Sequence, residues 1–436
     1  MCSSSRRRAV AGLAESARPS RLATASIVGT MLEYYDFAIY NTLAALAFNK
    51  LFFPSFDPLT GTILAFSTFA VGYFSRPIGG VIFGHLGDRY GRRFVLVATL
   101  IVMGVTTALI GALPTYATAG VLSPILLVAL RFVQGAALGG EWAGAVLLSV
   151  EHGDQRRRGR NASWAQMGPS LGTLLATGSI ALVISQLDNE SFLSWGWRLP
   201  FFASALLVGF GLWIRSGVQE TPLFRQLERE KTQARAPVGE VVRAHWRKLL
   251  LGGGARIGPD VLYSLAAVFS LNYLTATLGV SRTLALIALS IGGACNALTI
   301  PLFGGLSDRY GRRAVYGAGV VCALALAFAF FPLLDTGSPV AITVAIAAAL
   351  VVHAMMYGPQ AAFIAEQFPT RVRYAGSSLA YTLAGIVGGG IAPVMFAMLQ
   401  KVYGTTLALS TYLAVALLIT GVVLLIAPER AGVELE

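Results

Sequence analysis

The sequence has little charge, little histidine and little cysteine. Only 12% of its 436 residues are charged and 55% are hydrophobic, whereas a water-soluble domain carries about 25% charged residues. So few charged side chains cannot keep this much apolar surface in water, which argues against a soluble globular protein. The three scattered cysteines and four histidines give neither a disulfide framework nor metal-ligand spacing, and no Walker loop is present. We therefore expect no metal, no cofactor, no ATP drive and no enzyme activity.

One charged loop occurs twice in the chain. The sequence GHLGDRYGRR at residues 84–93 returns as GGLSDRYGRR at residues 304–313, which is 220 residues later. Each copy lies between two long apolar runs, so the repetition indicates two matching halves. In membranes, internal repeats are typical of secondary transporters, whose two bundles move against each other around a central site.

Apolar runs long enough to cross a bilayer, about 20 residues each, recur about twelve times. The sequence predicts an all-α membrane protein with twelve transmembrane helices in two pseudo-symmetric six-helix bundles. The expected segments are a disordered basic arm at 1–21, an N-terminal bundle at 22–215, a cytoplasmic linker at 216–247, a C-terminal bundle at 248–428 and a short cytoplasmic tail at 429–436. The linker is either a solvated hinge or an amphipathic surface helix.

The positive charges behind the net charge of +12 lie mainly in loops, and their distribution indicates the orientation of the chain in the membrane. Most of the 33 Lys and Arg residues lie in loops on one side of the predicted spans, and such loops face the cytoplasm. We expect a multi-pass protein of a bacterial cytoplasmic membrane with both termini in the cytoplasm. This distribution argues against nucleic acid as a partner. The expected partners are the lipid bilayer, a small-molecule substrate and protons, and we expect the chain to function as a monomer.

Several motifs resemble the major facilitator superfamily. The two DRYGRR loops match its signature loop, and other stretches resemble its metabolite:proton symporters. These stretches are EYYDF at 33–37, FSRPIGG at 74–80, RFVQG at 131–135, GGEW at 139–142, WGWRLPF at 195–201, ETPLF at 220–224 and EQFPTRVRY at 366–374. The resemblance implies the major-facilitator fold and proton-coupled import of a small organic acid anion by alternating access. Members of this kind carry shikimate, 2-oxoglutarate, citrate or aromatic acids.

Other functions stay open at this point. Some members carry zwitterionic osmolytes such as proline or betaine with protons, and an uncoupled facilitator would have the same fold. The family often has an Arg-x-x-Glu-Asn pattern in span 7, where this chain reads RIGPD at 256–260, so the substrate stays open. Weak aromatic lining and paired cavity charges argue against a sugar or drug carrier, and the doubled halves argue against a membrane sensor or enzyme.

Ionisable residues inside the spans are candidates for function, because each costs at least about 2.5 kcal/mol at the bilayer centre. The resemblance implies that spans 1, 4, 7 and 10 line the cavity. Helical spacing puts Glu33 and Asp36 on one face of span 1, and Arg131 lies in span 4. We predict that Asp36 faces Arg131 and that this pair couples proton to substrate, with Glu33 and His353 as further proton-coupling candidates. The alternative is a permanent ion pair that only holds the two spans together.

The predicted substrate site centres on Arg256, which is related to Asp36 by the 220-residue offset. Opposite charges at equivalent positions suit a carboxylate, which Arg256 could hold with two parallel hydrogen bonds. The alternative is an Arg256–Asp260 pair within span 7. The predicted substrate-binding residues are Arg256, Arg131, Gln134, Glu141, Trp142, Gln166, Asp260, Tyr263, Tyr357, Gln360 and Tyr381.

The charges at the ends of the spans are predicted to gate the two halves. The resemblance implies pairs that latch the outward-open state and separate on inward opening; the alternative is a topology signal alone. The predicted gating residues are Asp88, Arg89, Arg92, Arg93, Glu151, Asp308, Arg309, Arg312, Arg313 and Glu366. Arg76 is assigned to this group and not to the substrate site.

Overall fold

Long helices follow one another in the order that the apolar runs predict. The computed structural model describes residues 19–90, 92–140, 142–151, 155–216, 237–369 and 372–433, and no strand occurs in these ranges. The twelve long helices are α1 Pro19–Leu43, α2 Pro58–Tyr90, α3 Arg92–Ala112, α4 Leu122–Gly139, α5 Arg158–Gln186, α6 Leu199–Ser216, α7 Trp246–Tyr263, α8 Arg282–Tyr310, α9 Arg312–Asp335, α10 Pro339–Glu366, α11 Arg373–Gly385 and α12 Thr406–Ile426.

Shorter helical pieces extend or connect these helices. π-helical segments occur at Ala44–Phe48 after α1, at Ser264–Phe269 and Tyr273–Thr277 after α7, and at Ile386–Ile391 after α11. The other short helices are Asn49–Phe52, Tyr116–Ala119, Trp142–Glu151, Gln155–Arg157, Asn189–Ser194, Gly196–Arg198, Pro237–Ala244, Ser270–Asn272 and Ala392–Tyr403. Residues 1–18 of the predicted arm and residues 217–236 of the predicted linker lie outside the described residues.

Seven helical segments in the described ranges are long and apolar enough, by length and composition, to cross a membrane. They are α4 continued to Leu147, α5, α8, α9, α10, α11 continued to Tyr403, and α12. The other five long helices lie where the sequence predicts spans. Among these five, α2 contains the buried charge Arg76, and α7 contains the buried charges Arg256 and Asp260, each of which is costly in the bilayer.

The helices pair in the same way in each half. Helix α1 packs against α5, α2 against α4 and α3 against α6, and the equivalent pairs α7–α11, α8–α10 and α9–α12 recur in the second half. The halves meet along α5–α8 and along α2–α11. The 220-residue offset relates α2 to α8 and α5 to α11, so these two contacts are equivalent by the internal symmetry. This pairing confirms the prediction of two pseudo-symmetric six-helix bundles, and it places a site between them.

Two glycines let α2 and α4 approach along their backbones. A Cβ on Gly79 would overlap the carbonyl of Ala136, and a Cβ on Gly139 would overlap the carbonyl of Arg76. Small residues permit this close approach between membrane helices. The contact fixes the backbone of α2 at Arg76.

The repeated charged loop is a tight turn in its second copy. Gly311 lies between α8 and α9 with a φ of 93°, a conformation that glycine adopts without strain. The equivalent Gly91 lies outside the described residues. We call the end of the bundle that holds this turn the basic end, and the other the opposite end.

Candidate functional site

A small cavity lies between the two halves, near the middle of the helices. Its lining residues are Thr30, Glu33, Tyr34, Arg76, Leu138, Trp142, Ala145, Tyr381 and Thr382. Glu33, Trp142 and Tyr381 were expected in the site from the sequence. Arg76, which was assigned to the gate and not to the site, is 2% exposed and also lines the cavity, so its gating role stays a prediction.

Two stacked aromatic rings join the halves at the cavity. The rings of Trp142 and Tyr381 lie with centroids 3.6 Å apart and planes 11° apart. Gln166 on α5 accepts a hydrogen bond from Trp142 Nε1 at 3.0 Å, which fixes the indole. The cavity that these rings line has room for about one water molecule, which is too little for an organic acid in this conformation.

Three tyrosine hydroxyls meet beside this stack. The hydroxyl of Tyr381 lies 2.9 Å from that of Tyr34 on α1 and 3.4 Å from that of Tyr357 on α10. The cluster therefore links the two halves through groups that both donate and accept hydrogen bonds. Tyr357, predicted from the sequence as a substrate contact, reaches the cavity through Tyr381.

Arg256 on α7 is held by its own half of the protein. Its Nε donates to Asp260 Oδ2 at 2.7 Å, and its Nη1 donates to the carbonyl of Tyr381 at 2.8 Å. The guanidinium also lies over the Tyr381 ring, 3.1 Å from the ring centroid. The pair within span 7 that the sequence left open as an alternative is thus present, and substrate binding by Arg256 stays a prediction.

Asp36 on α1 does not contact Arg131 directly, so this part of the sequence prediction is wrong. The Asp36 carboxylate, 1% exposed, accepts hydrogen bonds from Thr107 on α3 at 3.0 Å and from Ser204 on α6. Two hydroxyls from other helices take the place that the sequence assigned to Arg131, because they satisfy the carboxylate without a second buried charge.

A chain of hydrogen bonds nevertheless connects Asp36 to Arg131. Arg131 Nη1 donates to Gln134 Oε1, Gln134 Nε2 donates to Thr107 Oγ1 at 2.7 Å, and Thr107 donates to Asp36. The Arg131 guanidinium lies over the ring of Tyr40, 3.8 Å from its centroid. The two charges are therefore linked through neutral side chains from α3 and α4.

His353 on α10 lies among aromatic rings and one amide. Its ring centroid is 4.8 Å from that of Tyr357 and 5.2 Å from that of Tyr263, and its Nδ1 lies 3.0 Å from Asn296 Nδ2. Tyr263 in turn bonds to Thr173 of the other half at 2.8 Å. This setting is that of a hydrogen-bonded core histidine, and the proton-coupling role of His353 stays a prediction.

Gln360 on α10, which was predicted to bind substrate, forms a hydrogen bond to another protein side chain. Its Nε2 donates to the Tyr316 hydroxyl at 3.1 Å, and that hydroxyl donates to the carbonyl of Ala255 at 2.7 Å. The residue therefore ties α10 to α9 and α7, and it does not line the cavity. Glu141 lies outside the described residues.

At the basic end, charged groups join the two halves. Glu366 accepts from Arg312 at 3.1 Å and lies 3.5 Å from Arg158 of the first half. Asp308 accepts from the backbone N–H groups of Gly159 and Arg160, at 2.8 and 2.9 Å, and also binds Arg312 at 2.7 Å. This geometry is suited to a latch, and gating by these residues stays a prediction.

The other predicted gating residues contribute less to this contact. Arg309 is exposed, and Arg313 binds Glu429 and the carbonyl of Leu425 within its own half. The side chains of the remaining members lie outside the described ones; they are Asp88, Arg89, Arg92, Arg93 and Glu151.

Polar contacts also join the halves at the opposite end. Asn272 Nδ2 lies 3.4 Å from Thr62 Oγ1, and Lys401 Nζ lies 3.6 Å from Asp57 Oδ2. The Thr60 hydroxyl and backbone N–H donate to Asp57 and hold the pKa of that carboxyl at about 2. Among the described residues, contacts therefore join the two halves at both ends of the bundle.

Comparison with known proteins agrees with this architecture. Residues 26–393, and again 260–435, match the family model of the Major Facilitator Superfamily. The chain is 41% identical over 414 residues to the shikimate transporter of Escherichia coli (strain K12), covering 94% of each chain. It is 34% identical over 414 residues to the proline/betaine transporter of the same organism, covering 92% of this chain and 82% of that one.

A solved structure supports the fold in the same way. The proton:xylose symporter XylE superposes with a TM-score of 0.76 over 96% of this chain and 97% of that one, at 17% identity. Identity this low supports the fold alone. The family match and the relatives also support membership of the family and a role as a transporter, because they span nearly the whole chain. The protein therefore belongs to the Major Facilitator Superfamily, as a multi-pass membrane protein and a secondary transporter of a small molecule, and not an enzyme.

Proposed function

We propose that the protein imports a small organic acid anion together with protons. The observation that carries this proposal is the cavity between the halves, which both Arg76 and Glu33 line. A buried cation can hold a carboxylate, and a buried carboxylate can take up a proton when the substrate's charge arrives. The likeness to a shikimate transporter supports an acid as the substrate.

Two buried carboxylates of α1 are the candidates for carrying the proton. Glu33 is 2% exposed and faces the cavity, whereas Asp36 is 1% exposed and lies in the hydrogen-bond chain that leads to Arg131. Arginine stays protonated, so the carboxylates are the groups that can change charge. In this proposal a substrate at the cavity and a proton on α1 load together before the halves exchange access.

The same proposal includes the setting in the cell. The protein lies in a bacterial cytoplasmic membrane as a monomer, with the basic end and both termini in the cytoplasm. The Lys and Arg residues in the loops of that end support this orientation. Import then runs from the opposite end, where Lys401 meets Asp57, to the basic end, where Arg158 meets Glu366.

Uptake into proteoliposomes tests the proposal. The panel is shikimate, 4-hydroxybenzoate, 2-oxoglutarate, citrate, proline and betaine, each with and without an acid-outside pH gradient. We expect one acid to accumulate above equilibrium only with the gradient, and Glu33→Gln to abolish the accumulation. Glu190→Gln, at an exposed position outside the long helices, is the matched control and should behave as wild type. Uptake of every acid at the level of protein-free liposomes would refute organic acid transport.

A zwitterionic osmolyte is the second candidate substrate. Arg76 and Glu33 give the cavity one charge of each sign, which also fits a carboxylate joined to an ammonium group. The 34% identity to a proline/betaine transporter supports this alternative. Gradient-driven accumulation of proline or betaine and none of the acids would establish it over the first. Filling that is equal with and without the gradient would establish an uncoupled facilitator instead.

A further inference from the structure

Arg76 lines the cavity, and one edge of its guanidinium, formed by Nε and Nη2, has no hydrogen-bond partner among the described residues. Among the described residues, none accepts a hydrogen bond from its Nε or its Nη2, although both atoms are buried. These two N–H groups point the same way and form the fork that binds a carboxylate with two parallel bonds. A buried donor without a partner costs about 1–3 kcal/mol, so an acceptor that enters the cavity would be bound strongly there.

The surroundings of Arg76 hold this edge in place. Its guanidinium lies over the ring of Tyr73, 3.8 Å from the centroid, and over the ring of Phe37 at 4.5 Å. Gly139 brings the backbone of α4 against the carbonyl of Arg76 itself. Rings that cover the face of a guanidinium leave its edge for hydrogen bonds. The orientation is therefore set before a substrate arrives.

Arg256, which the sequence favoured for binding the substrate, already uses its guanidinium nitrogens for bonds within the protein. Arg256 uses its Nε for Asp260 and its Nη1 for the carbonyl of Tyr381. Those bonds must break before Arg256 can hold a carboxylate with its Nε. The Nε and Nη2 of Arg76 make no such bond to a described residue, so binding there costs less reorganisation.

We propose that Arg76 is the residue that binds the substrate's carboxylate, through Nε and Nη2. This inference rests on the proposed transport of an acid and names the group that recognises it. When the stack of Trp142 on Tyr381 parts, the carboxylate occupies the space beside Arg76, and the hydroxyls of Tyr34 and Tyr381 lie on the same cavity wall. The ring face of Trp142 is then exposed to the carbon skeleton of the acid.

The test compares each acid with its own methyl ester, which lacks the charged carboxylate. Binding of shikimate, 4-hydroxybenzoate, 2-oxoglutarate and citrate, and of their methyl esters, is measured on purified protein by the quenching of tryptophan fluorescence. Arg76→Lys keeps the charge and removes the fork, and Arg76→Gln removes both. Arg247→Lys, at an exposed position, is the matched control. We expect the wild type and the control to bind one acid more tightly than its ester, by about 10- to 100-fold, from the strength of hydrogen bonds to a charged group.

The ratio of acid to ester binding separates recognition from a structural role. We expect Arg76→Lys to lose most of this ratio and Arg76→Gln to lose all of it, while ester binding stays near the wild-type value. A wild type that accumulates an acid, with Arg76 variants that keep the ratio, would overturn the role of Arg76 and leave the proposed function standing. A wild type that binds no acid more tightly than its ester would overturn the inference even if the variants did not fold, and absence of any acid uptake would overturn both proposals.

Discussion

Replacing Thr107 by valine interrupts the hydrogen-bond chain between α1 and α4. The Thr107 hydroxyl shares its proton between Asp36 Oδ2 at 3.0 Å and the Met103 carbonyl at 2.8 Å, and it accepts from Gln134 Nε2 at 2.7 Å. The side chain is fully buried. Valine has nearly the same shape but no hydroxyl. In the variant, a buried carboxylate oxygen of Asp36 therefore loses one donor, and a buried amide N–H of Gln134 loses its acceptor.

The size of the effect follows from the charge of the acceptor. A hydrogen bond to a charged group contributes about 1.5–3 kcal/mol, and each 1.4 kcal/mol is a factor of ten. We expect Thr107→Val to slow gradient-driven uptake of the transported acid by about 10- to 100-fold. Counterflow exchange, which moves no net proton, should be largely retained.

The neighbouring Thr106 provides the matched control. Its hydroxyl donates to the carbonyls of Val102 and Met103 in its own helix, at 2.7 and 2.9 Å. Thr106→Val should therefore transport as the wild type does. Both variants are assayed in proteoliposomes at equal protein content, with labelled substrate. If Thr107→Val accumulated the acid as fast as Thr106→Val, the chain from Asp36 to Arg131 would have no part in coupling.

Three further variants test packing, the latch and pH dependence. Gly79→Ala should lower the melting temperature in detergent, since overpacking costs about 1–3 kcal/mol, whereas Gly209→Ala, with open space around it, should not; equal melting temperatures would contradict the backbone contact of α2 and α4. Glu366→Gln should raise maleimide labelling of a Ser163→Cys reporter at the basic end, because breaking a buried ion pair costs about 3–5 kcal/mol; unchanged labelling would contradict the latch. Since the pKa of Asp57 is about 2, below the unfolded value of about 3.9, its ionised form adds stability above about pH 4 that is lost as the pH falls through about 2. Asp57→Asn should thus leave the shape of the uptake profile from pH 5 to 8 unchanged, and a shifted profile would show that this reasoning is wrong.

The order of the helices and the doubling of the halves could be predicted from the sequence. Bilayer thickness fixes the length of an apolar run, and the repeated DRYGRR loop marks equivalent positions. Glu33, Trp142 and Tyr381, which the sequence singled out, line the cavity between the halves, where an intramembrane charge such as Glu33 needs a partner or a wet cavity; their roles in transport stay predictions.

The partners of the charges could not be predicted in the same way. Asp36 is satisfied by hydroxyls of Thr107 and Ser204, and neutral hydroxyls are common in membrane helices, so no spacing in the sequence singles these two out. The position of Arg76 depends on how closely α2 and α4 approach each other. Their glycines permit the close approach, but the sequence alone does not show which helices pack together at these glycines. Helical periodicity reports the face of one helix and not its distance from the next.

The internal pH of proteoliposomes tests proton-coupled acid transport most directly. A pH-sensitive dye is enclosed, no gradient is imposed, and the acid that the wild type transports is added outside. We expect the interior of wild-type vesicles to acidify in step with uptake, beyond the change in protein-free liposomes. We expect Asp36→Asn vesicles to exchange the acid without that acidification. Uptake by the wild type with no acidification beyond the protein-free control would contradict proton symport.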